Sequence, residues 1–181
     1  MNSGTITLSA PFISIKGGGL DVGTQGNSPG GTISVNGGKA VHLADTHLAA
    51  DNTLDFPIGI ARHSDGGTIN IDGGGEVTSQ SSTISAQSVG GNGGTIHIEA
   101  NMVGLTDTQL TTSVSGGPQT VGGHITVDAK DVTLKHSQIL STATEGQGGT
   151  IEITSHVLHQ RLGSVIDASS QFGTDGTVTV H

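Results

Sequence analysis

The sequence contains no cysteine, tryptophan or tyrosine, and only six of its 181 residues are lysine or arginine. The absence of cysteine excludes disulfide bonds and thiolate metal sites. Nucleic-acid binding needs clustered cations and usually stacking aromatics, so the net charge of −9 and the three phenylalanines exclude that class of function. The same shortage of cations argues against binding to anionic membranes.

Long apolar runs are absent as well. No stretch of about 18 apolar residues occurs, so the sequence predicts no membrane insertion. The first eight residues lack the basic and apolar regions of a secretory signal peptide. This start is expected either of a cytosolic protein or of a piece of a longer chain, and the ending after a single strand at 177–181 favours one segment, residues 1–181, of a longer chain.

Glycine is abundant, with 31 residues, whereas hydrophobic residues make up only 31% of the chain. Such a composition raises the alternative of disorder, because too little apolar surface is available to offset chain entropy. The apolar residues are nevertheless mostly β-branched or leucine and are regularly placed, which favours sheet.

One repeat unit recurs along the chain. A Gly-x-(Ile/Val)-x-aliphatic string returns every 26 to 29 residues, with one longer interval of 36 residues in the second unit. Apolar and polar residues alternate within it, which predicts a strand with one buried face. The first apolar position of the string forms a predicted core ladder: Ile6, Ile33, Ile69, Ile96, Ile125, Ile151 and Val178. The second apolar position holds Leu8, Val35, Ile71, Ile98, Val127, Ile153 and Val180.

Two further short apolar strands and a glycine-rich corner follow in each unit. Three strands per unit, each with one inward face, predict a right-handed parallel β-helix of about six coils of about 27 residues. Glycine at the corners is expected to supply backbone angles that a Cβ would forbid. A β-propeller needs about 40 residues per blade, and no helical periodicity is present, so both alternatives fit poorly.

These units resemble the repeats of filamentous-haemagglutinin-type exoproteins, the large passengers of two-partner secretion systems in Gram-negative bacteria. The resemblance rests on segments such as 93–100 with 103–107 and 109–113, 122–129 with 132–134, and 148–153, and it extends from Gly4 to Val180. It implies a secreted, cell-surface β-helical stalk that is exported by an outer-membrane transporter. The amino-terminal secretion domain of that family has no counterpart in this sequence.

Candidate chemistry is sparse along the repeats. The nine histidines form no HExxH motif, and His97 and His124 are the one pair expected to approach each other, diagonally across adjacent coils. One outward column of carboxylates is predicted to form an acidic stripe that weakly attracts Ca²⁺: Asp72, Glu99 and Asp128. A threonine column beside the core ladder suggests ice binding as a further hypothesis, but His124 interrupts the column. We predict no cofactor, no metal site and no catalytic residue.

The long second unit carries an insertion at 51–66, and long loops on a regular scaffold often carry function. Its candidate binding residues are Asp51, Asp55, Phe56, Arg62 and His63. The alternative interpretation is an ordinary decoration that packs Phe56 and Ile58 against the coil.

The sequence thus predicts a non-enzymatic, structural and presentational segment of a secreted surface exoprotein with an adhesive role. Its expected partners are the outer-membrane transporter, through a domain outside this sequence, and a host or matrix glycan or protein. The alternative is a β-helical protein that binds or degrades polysaccharide, since many known parallel β-helices are polysaccharide lyases or hydrolases. Such enzymes need carboxylates, often with Arg or Lys, converging on one groove, and the acidic stripe has no arginine nearby.

Overall fold

The computed structural model describes residues 3–53 and 64–181, and all regular structure within them is β-strand. The strands are β1 (Thr5–Ser9), β2 (Phe12–Asp21), β3 (Thr24–Gln25), β4 (Thr32–Asn36), β5 (Ala40–Ala49), β6 (Asn52–Thr53), β7 (Thr68–Gln80), β8 (Thr83–Ser85), β9 (Thr95–Thr106), β10 (Gln109–Thr111), β11 (His124–Lys135), β12 (Gln138–Leu140), β13 (Thr150–Thr154), β14 (Val157–Gln160), β15 (Val165–Asp167) and β16 (Thr177–Val180). Every pairing among them is parallel, which confirms the prediction of an all-β parallel helix of about six coils.

The first wall of the helix is built from the repeated string. Its strands stack without a gap in register, so that Ile69 lies opposite Ile33 and Ile96, and Ile125 opposite Ile96 and Ile151. The five isoleucines from Ile33 to Ile151 in this ladder are completely buried. Full burial of one such side chain contributes roughly 1.5–3 kcal/mol through transfer from water.

The two ends of the ladder differ from its middle. Ile6 is half-buried, and Val178 remains 43% exposed. Each of them lies in a strand that is paired on one side only, β1 with β4 and β16 with β13, so one face of each strand is uncovered.

The second and third walls stack in the same way, but the strands are longer than the three short ones predicted. Strands β7, β9 and β11 each run through the first and second walls, and β2 and β5 each run through the second and third. In the three coils of β7, β9 and β11 the first corner is therefore a bend within a strand, whereas in the other coils it separates two strands. In two coils it turns at one buried alanine, Ala100 or Ala129, whereas the coil below inserts an extra residue and shifts register between Asp72 and Gly74.

The corner between the third and first walls, here called the glycine corner, explains much of the glycine content. At six of its glycines an added Cβ would come within 3.0 Å of the carbonyl oxygen of the coil below. Gly26 in this corner of the first coil has a φ of 89°, but these six glycines have no positive φ, so the expectation that corner glycines supply unusual backbone angles fails for them. They are needed because the backbones of successive coils approach too closely for a Cβ: Gly31, Gly67, Gly94, Gly123, Gly149 and Gly176.

The corner between the second and third walls, here called the left-handed corner, is where positive φ occurs in every coil. Four residues other than glycine adopt φ values of 48–51° there: Asp45, Ser81, Asp107 and His136. Gly17 and Gly163 occupy the corresponding positions in the first and sixth coils, with φ values of 62° and 81°. Left-handed conformation costs roughly 1–2 kcal/mol for a residue with a Cβ.

A buried hydroxyl follows each of these four residues: Thr46, Ser82, Thr108 and Ser137. Each donates a hydrogen bond to the carbonyl two residues earlier, as Ser137 Oγ does to Lys135 O at 2.9 Å. Ser137 Oγ also accepts a hydrogen bond from Thr108 N at 3.2 Å, which joins successive coils. The hydroxyls therefore satisfy backbone groups that the tight corner removes from the strand ladder.

Candidate functional site

The predicted binding residues of the insertion fall largely outside the described residues, since Asp55, Phe56, Arg62 and His63 lie within 54–63. Asp51 is described, and it is half-buried at the end of the third wall. Its Oδ1 accepts hydrogen bonds from Ser85 Oγ at 2.5 Å and from Gln87 N at 2.7 Å. These contacts give Asp51 a structural role, because they attach the end of one coil to the next.

Both ends of the predicted insertion belong to the coils. Asn52 and Thr53 form β6, which pairs with β3. On the far side of 54–63, Ser64 O accepts a hydrogen bond from Ser88 Oγ at 2.7 Å, and Asp65 Oδ1 accepts one from Asn92 N at 2.7 Å. Asn52, Thr53, Ser64 and Asp65, which the sequence assigned to the insertion, thus pair with or hydrogen-bond to neighbouring coils.

A small groove of about 290 Å³ lies beside Asp51 and is also lined by Asp21 and His47. Asp21 Oδ1 accepts a hydrogen bond from Gly23 N at 2.7 Å, so this carboxylate also supports the backbone. Among residues 3–53 and 64–181, no group of three or more His, Asp or Glu side chains is arranged to hold a metal ion.

The predicted acidic stripe lies along the first corner. Glu99 is in register with Asp72 below and with Asp128 above. These carboxylates line a groove of about 320 Å³, here called the first-corner groove, together with Lys130 and His156. The sequence analysis noted the absence of arginine near the stripe but not Lys130, which follows Asp128 by two residues on the same outward face, nor His156, which reaches the groove from the next coil.

The contacts within the first-corner groove are mostly local. Asp72 Oδ1 accepts a hydrogen bond from Gly74 N at 2.9 Å, and Glu99 Oε2 lies 3.7 Å from His97 Nε2. Within the described chain, the ion pairs all involve histidine, so Lys130 has no carboxylate within 4.0 Å. The groove therefore combines separate carboxylates with an unpaired ammonium group.

Two of the described histidines, His97 and His124, contact other side chains. His97 contacts Glu99, whereas His124 Nε2 lies 2.8 Å from Thr126 Oγ1, so the two rings expected to approach diagonally are engaged with different partners. The exposed pairs contribute little to stability, because solvent screens them. The threonine column is in register through Thr95, and His124 interrupts it as the sequence indicated.

A third groove, here called the second-corner groove, has a volume of about 460 Å³ and follows the left-handed corner. One side of it is formed by Thr83, Gln109 and Gln138, which are in register on the third wall. Residues of the left-handed corner form the other side, and His136 Nδ1 lies 3.4 Å from Asp107 Oδ1 there. The Nε2 atom of Gln109 donates a hydrogen bond to Gln138 Oε1 at 3.4 Å.

Sequence reasoning did not identify this groove. The signal that could have found it is the recurrence of a polar residue and a hydroxyl immediately before each third strand, as in Ser81-Ser82 and Asp107-Thr108.

In comparisons with known proteins, no family model matches the chain, and neither a curated protein nor a solved structure matches it. The residues outside 54–63 that the structure describes also include no helix long and apolar enough to cross a membrane.

Proposed function

We propose that the chain is a non-enzymatic, structural segment of a large secreted exoprotein of the bacterial cell surface, with an adhesive role. The observation that carries this proposal is the unbroken register of the repeated string through seven successive strands of the first wall. A rod built in this way holds whatever is attached to it at a fixed distance. The resemblance of the repeats to filamentous-haemagglutinin-type passengers supplies the secretory and cell-surface part of the proposal.

Export in the two-partner manner requires that the chain cross a pore unfolded. The lack of cysteine is compatible with that route, because no disulfide forms that would hold coils together before passage. Such a role also explains why the folding information is local and repeated, since each coil needs only the coil below it as a template.

A cysteine lock tests this export. We would fuse the chain behind the secretion domain of a two-partner passenger and co-express the matching transporter. Thr68 and Thr95 are Cα partners on adjacent strands, so the variant Thr68→Cys/Thr95→Cys should form a disulfide across two coils. The unmodified chain should reach the medium, and the locked variant should remain in the cell until a reducing agent is added.

The control for this experiment is the variant Thr68→Cys/Thr142→Cys, whose two positions lie on different walls of the helix. It should be exported like the unmodified chain. Retention of the unmodified chain in cells that export the native passenger would contradict the proposed export.

The first-corner groove supports one alternative, a polysaccharide-acting β-helix. It brings the carboxylates of Glu99 and Asp128 to adjacent coils with Lys130 beside them, which is the kind of charge arrangement that such catalysis uses. Incubation with acidic polysaccharides, followed by the absorbance of unsaturated products, tests it. Turnover that is lost in Glu99→Gln and Asp128→Asn, but kept in Glu76→Gln on the second wall, would establish the alternative and overturn the non-enzymatic proposal.

A further inference from the structure

The outward face of the third wall differs from the other two walls. Through three coils its nine outward positions carry no charged residue: Thr83, Ser85, Gln87, Gln109, Thr111, Ser113, Gln138, Leu140 and Thr142. In the same coils the first wall carries Asp72, Glu99 and Asp128, and the second wall carries Glu76 and Asp131. In these three coils of a chain of net charge −9, the third wall carries no charge of its own, although Ser85 and Thr111 are buried and Asp51 of the coil below hydrogen-bonds to Ser85.

We propose that the second-corner groove binds a neutral, hydroxyl-rich glycan chain lying along the axis of the helix. This inference deepens the proposed function, because it names the surface and the ligand class of the adhesive contact.

Free hydrogen-bonding groups line the groove. Within the described chain, Thr83 Oγ1, Gln109 Oε1 and Gln138 Nε2 have no hydrogen-bond partner, although the two amides are joined to each other through their remaining atoms. The amide contact orients one acceptor and one donor toward the groove before any ligand arrives. Such preorganisation lowers the entropy lost on binding.

The spacing of these groups suits a repeating polymer. Thr83, Gln109 and Gln138 are Cα partners in consecutive coils, so they recur about every 4.8 Å along the axis. On the opposite side, Ser81, Asp107 and His136 recur at the same interval. A chain of sugar rings presents hydroxyl donors and acceptors at a comparable repeat, whereas a compact small molecule would use only one step of this pattern.

The charge of the residues that line the groove favours neutral glycans over anionic ones. The groove contains no lysine or arginine, and Asp107 adds a carboxylate, so sulfated or uronate polymers would be repelled. No aromatic ring lines the groove to stack on a sugar face, so each contact is expected to be weak and adhesion to depend on many copies.

The test uses the purified chain with neutral hexasaccharides of glucose, mannose and xylose, and with heparin and oligogalacturonate as anionic probes. Binding is measured by calorimetry and by saturation-transfer NMR. At least one neutral hexasaccharide should bind, and the anionic probes should not. The variant Gln109→Ala/Gln138→Ala should raise the Kd about tenfold or more, because two hydrogen-bonding amides are lost.

The matched control is Gln147→Ala/Gln171→Ala, which removes two exposed glutamines that do not line the groove and should leave the Kd unchanged. Thr83→Val, which keeps the shape of the side chain, should weaken binding severalfold and serves if the double variant does not fold.

The proposal is overturned if no neutral hexasaccharide binds, if only the anionic probes bind, or if the groove variants bind like the unmodified chain. Each of these results leaves the export experiment untouched, so failure of the glycan site and failure of the secretory role are distinguishable.

Discussion

The glycine corner and the left-handed corner both turn the chain sharply between two walls, but they place opposite demands on the residue at the turn. At the glycine corner the backbone angles are ordinary, but there is no room for a side chain. A Cβ on Gly94 would collide with the backbone of Gly66 and Gly67 in the coil below. At the left-handed corner there is room for a side chain, but the φ angle is positive. Gly17, for example, has a φ of 62°, and no atom lies within 4 Å of an added Cβ.

This difference explains which residues each corner accepts. No L-residue other than glycine relieves a collision with backbone, so the glycine corner keeps glycine in every coil from Gly31 to Gly176. A positive φ costs only a modest free energy, and aspartate and histidine are among the residue types that tolerate it better than most. The left-handed corner therefore accepts Asp45, Ser81, Asp107 and His136.

The largest effect is expected at the glycine corner. Gly94→Ala should lower the free energy of unfolding by about 3 kcal/mol or more, because the coils must separate to admit the Cβ. Urea unfolding followed by circular dichroism measures this. Gly18→Ala is the control: Gly18 has open space and no positive φ, so the alanine should be neutral or stabilising by up to about 1 kcal/mol. Equal losses in both variants would refute the close-approach explanation.

The next largest effect is expected at Gly163, where a positive φ and a close contact occur at the same residue. Gly163 has a positive φ, and an added Cβ would also lie 2.8 Å from Cδ2 of His136. Gly163→Ala should therefore destabilise the protein more than Gly17→Ala, which should lose roughly 1–2 kcal/mol through its φ alone. In a His136→Ala background the loss at Gly163 should fall toward that at Gly17, as a double-mutant cycle on thermal unfolding can show. No change between the two backgrounds would exclude the contact with the ring.

A buried hydroxyl gives an effect of intermediate size. Ser137→Ala leaves Thr108 N without its acceptor at 3.2 Å and removes the bond to Lys135 O, so we expect a loss of about 1–3 kcal/mol. Ser155→Ala is the same chemical change with the opposite expected sign, because its buried Oγ has no partner in the described chain. Ser155 lies in register with Ala100 and Ala129, which already carry alanine. Melting temperatures of the two variants should move in opposite directions, and a shared direction would contradict this reasoning.

The smallest effect is expected at Ser81, which is exposed and has a φ of 49°. Ser81→Gly removes the Cβ strain of about 1–2 kcal/mol but adds freedom to the unfolded chain worth about 0.4–1 kcal/mol. A net gain of about 0.5 kcal/mol should appear as a small rise in melting temperature. A fall would mean that the corner carries no strain.

The walls could be predicted from the sequence because each inward column shares a residue type. Ile69, Ile96, Ile125 and Ile151 recur at intervals of 26 to 29 residues, and their register in the structure follows that recurrence. The left-handed corner could not be predicted in this way, since Asp45, Ser81 and His136 share a backbone angle and no side-chain chemistry.

The lining of the grooves was harder to predict from the sequence than the stacking of the walls. His156 joins Lys130 and the carboxylates of the first-corner groove from the next coil, because Ser155 and Ala129 lie in register at that corner. Asp51 was predicted as a binding residue of the insertion, but its carboxylate accepts hydrogen bonds from the next coil, which no periodicity indicates. Its other candidate partners, Asp55, Phe56, Arg62 and His63, lie outside the described residues and stay predictions.

The inward stacking of the aliphatic columns is tested most directly by a pair of neighbouring aspartate substitutions. Ile96 is completely buried between Ile69 and Ile125, and Thr95, one position earlier, points outward. Urea unfolding should show that Ile96→Asp loses several kcal/mol or the cooperative transition altogether, because an unpaired carboxylate is buried. Thr95→Asp should lose about 1 kcal/mol or less. Equal destabilisation by the two substitutions, or a larger loss for Thr95→Asp, would contradict the stacked interior on which the solenoid depends.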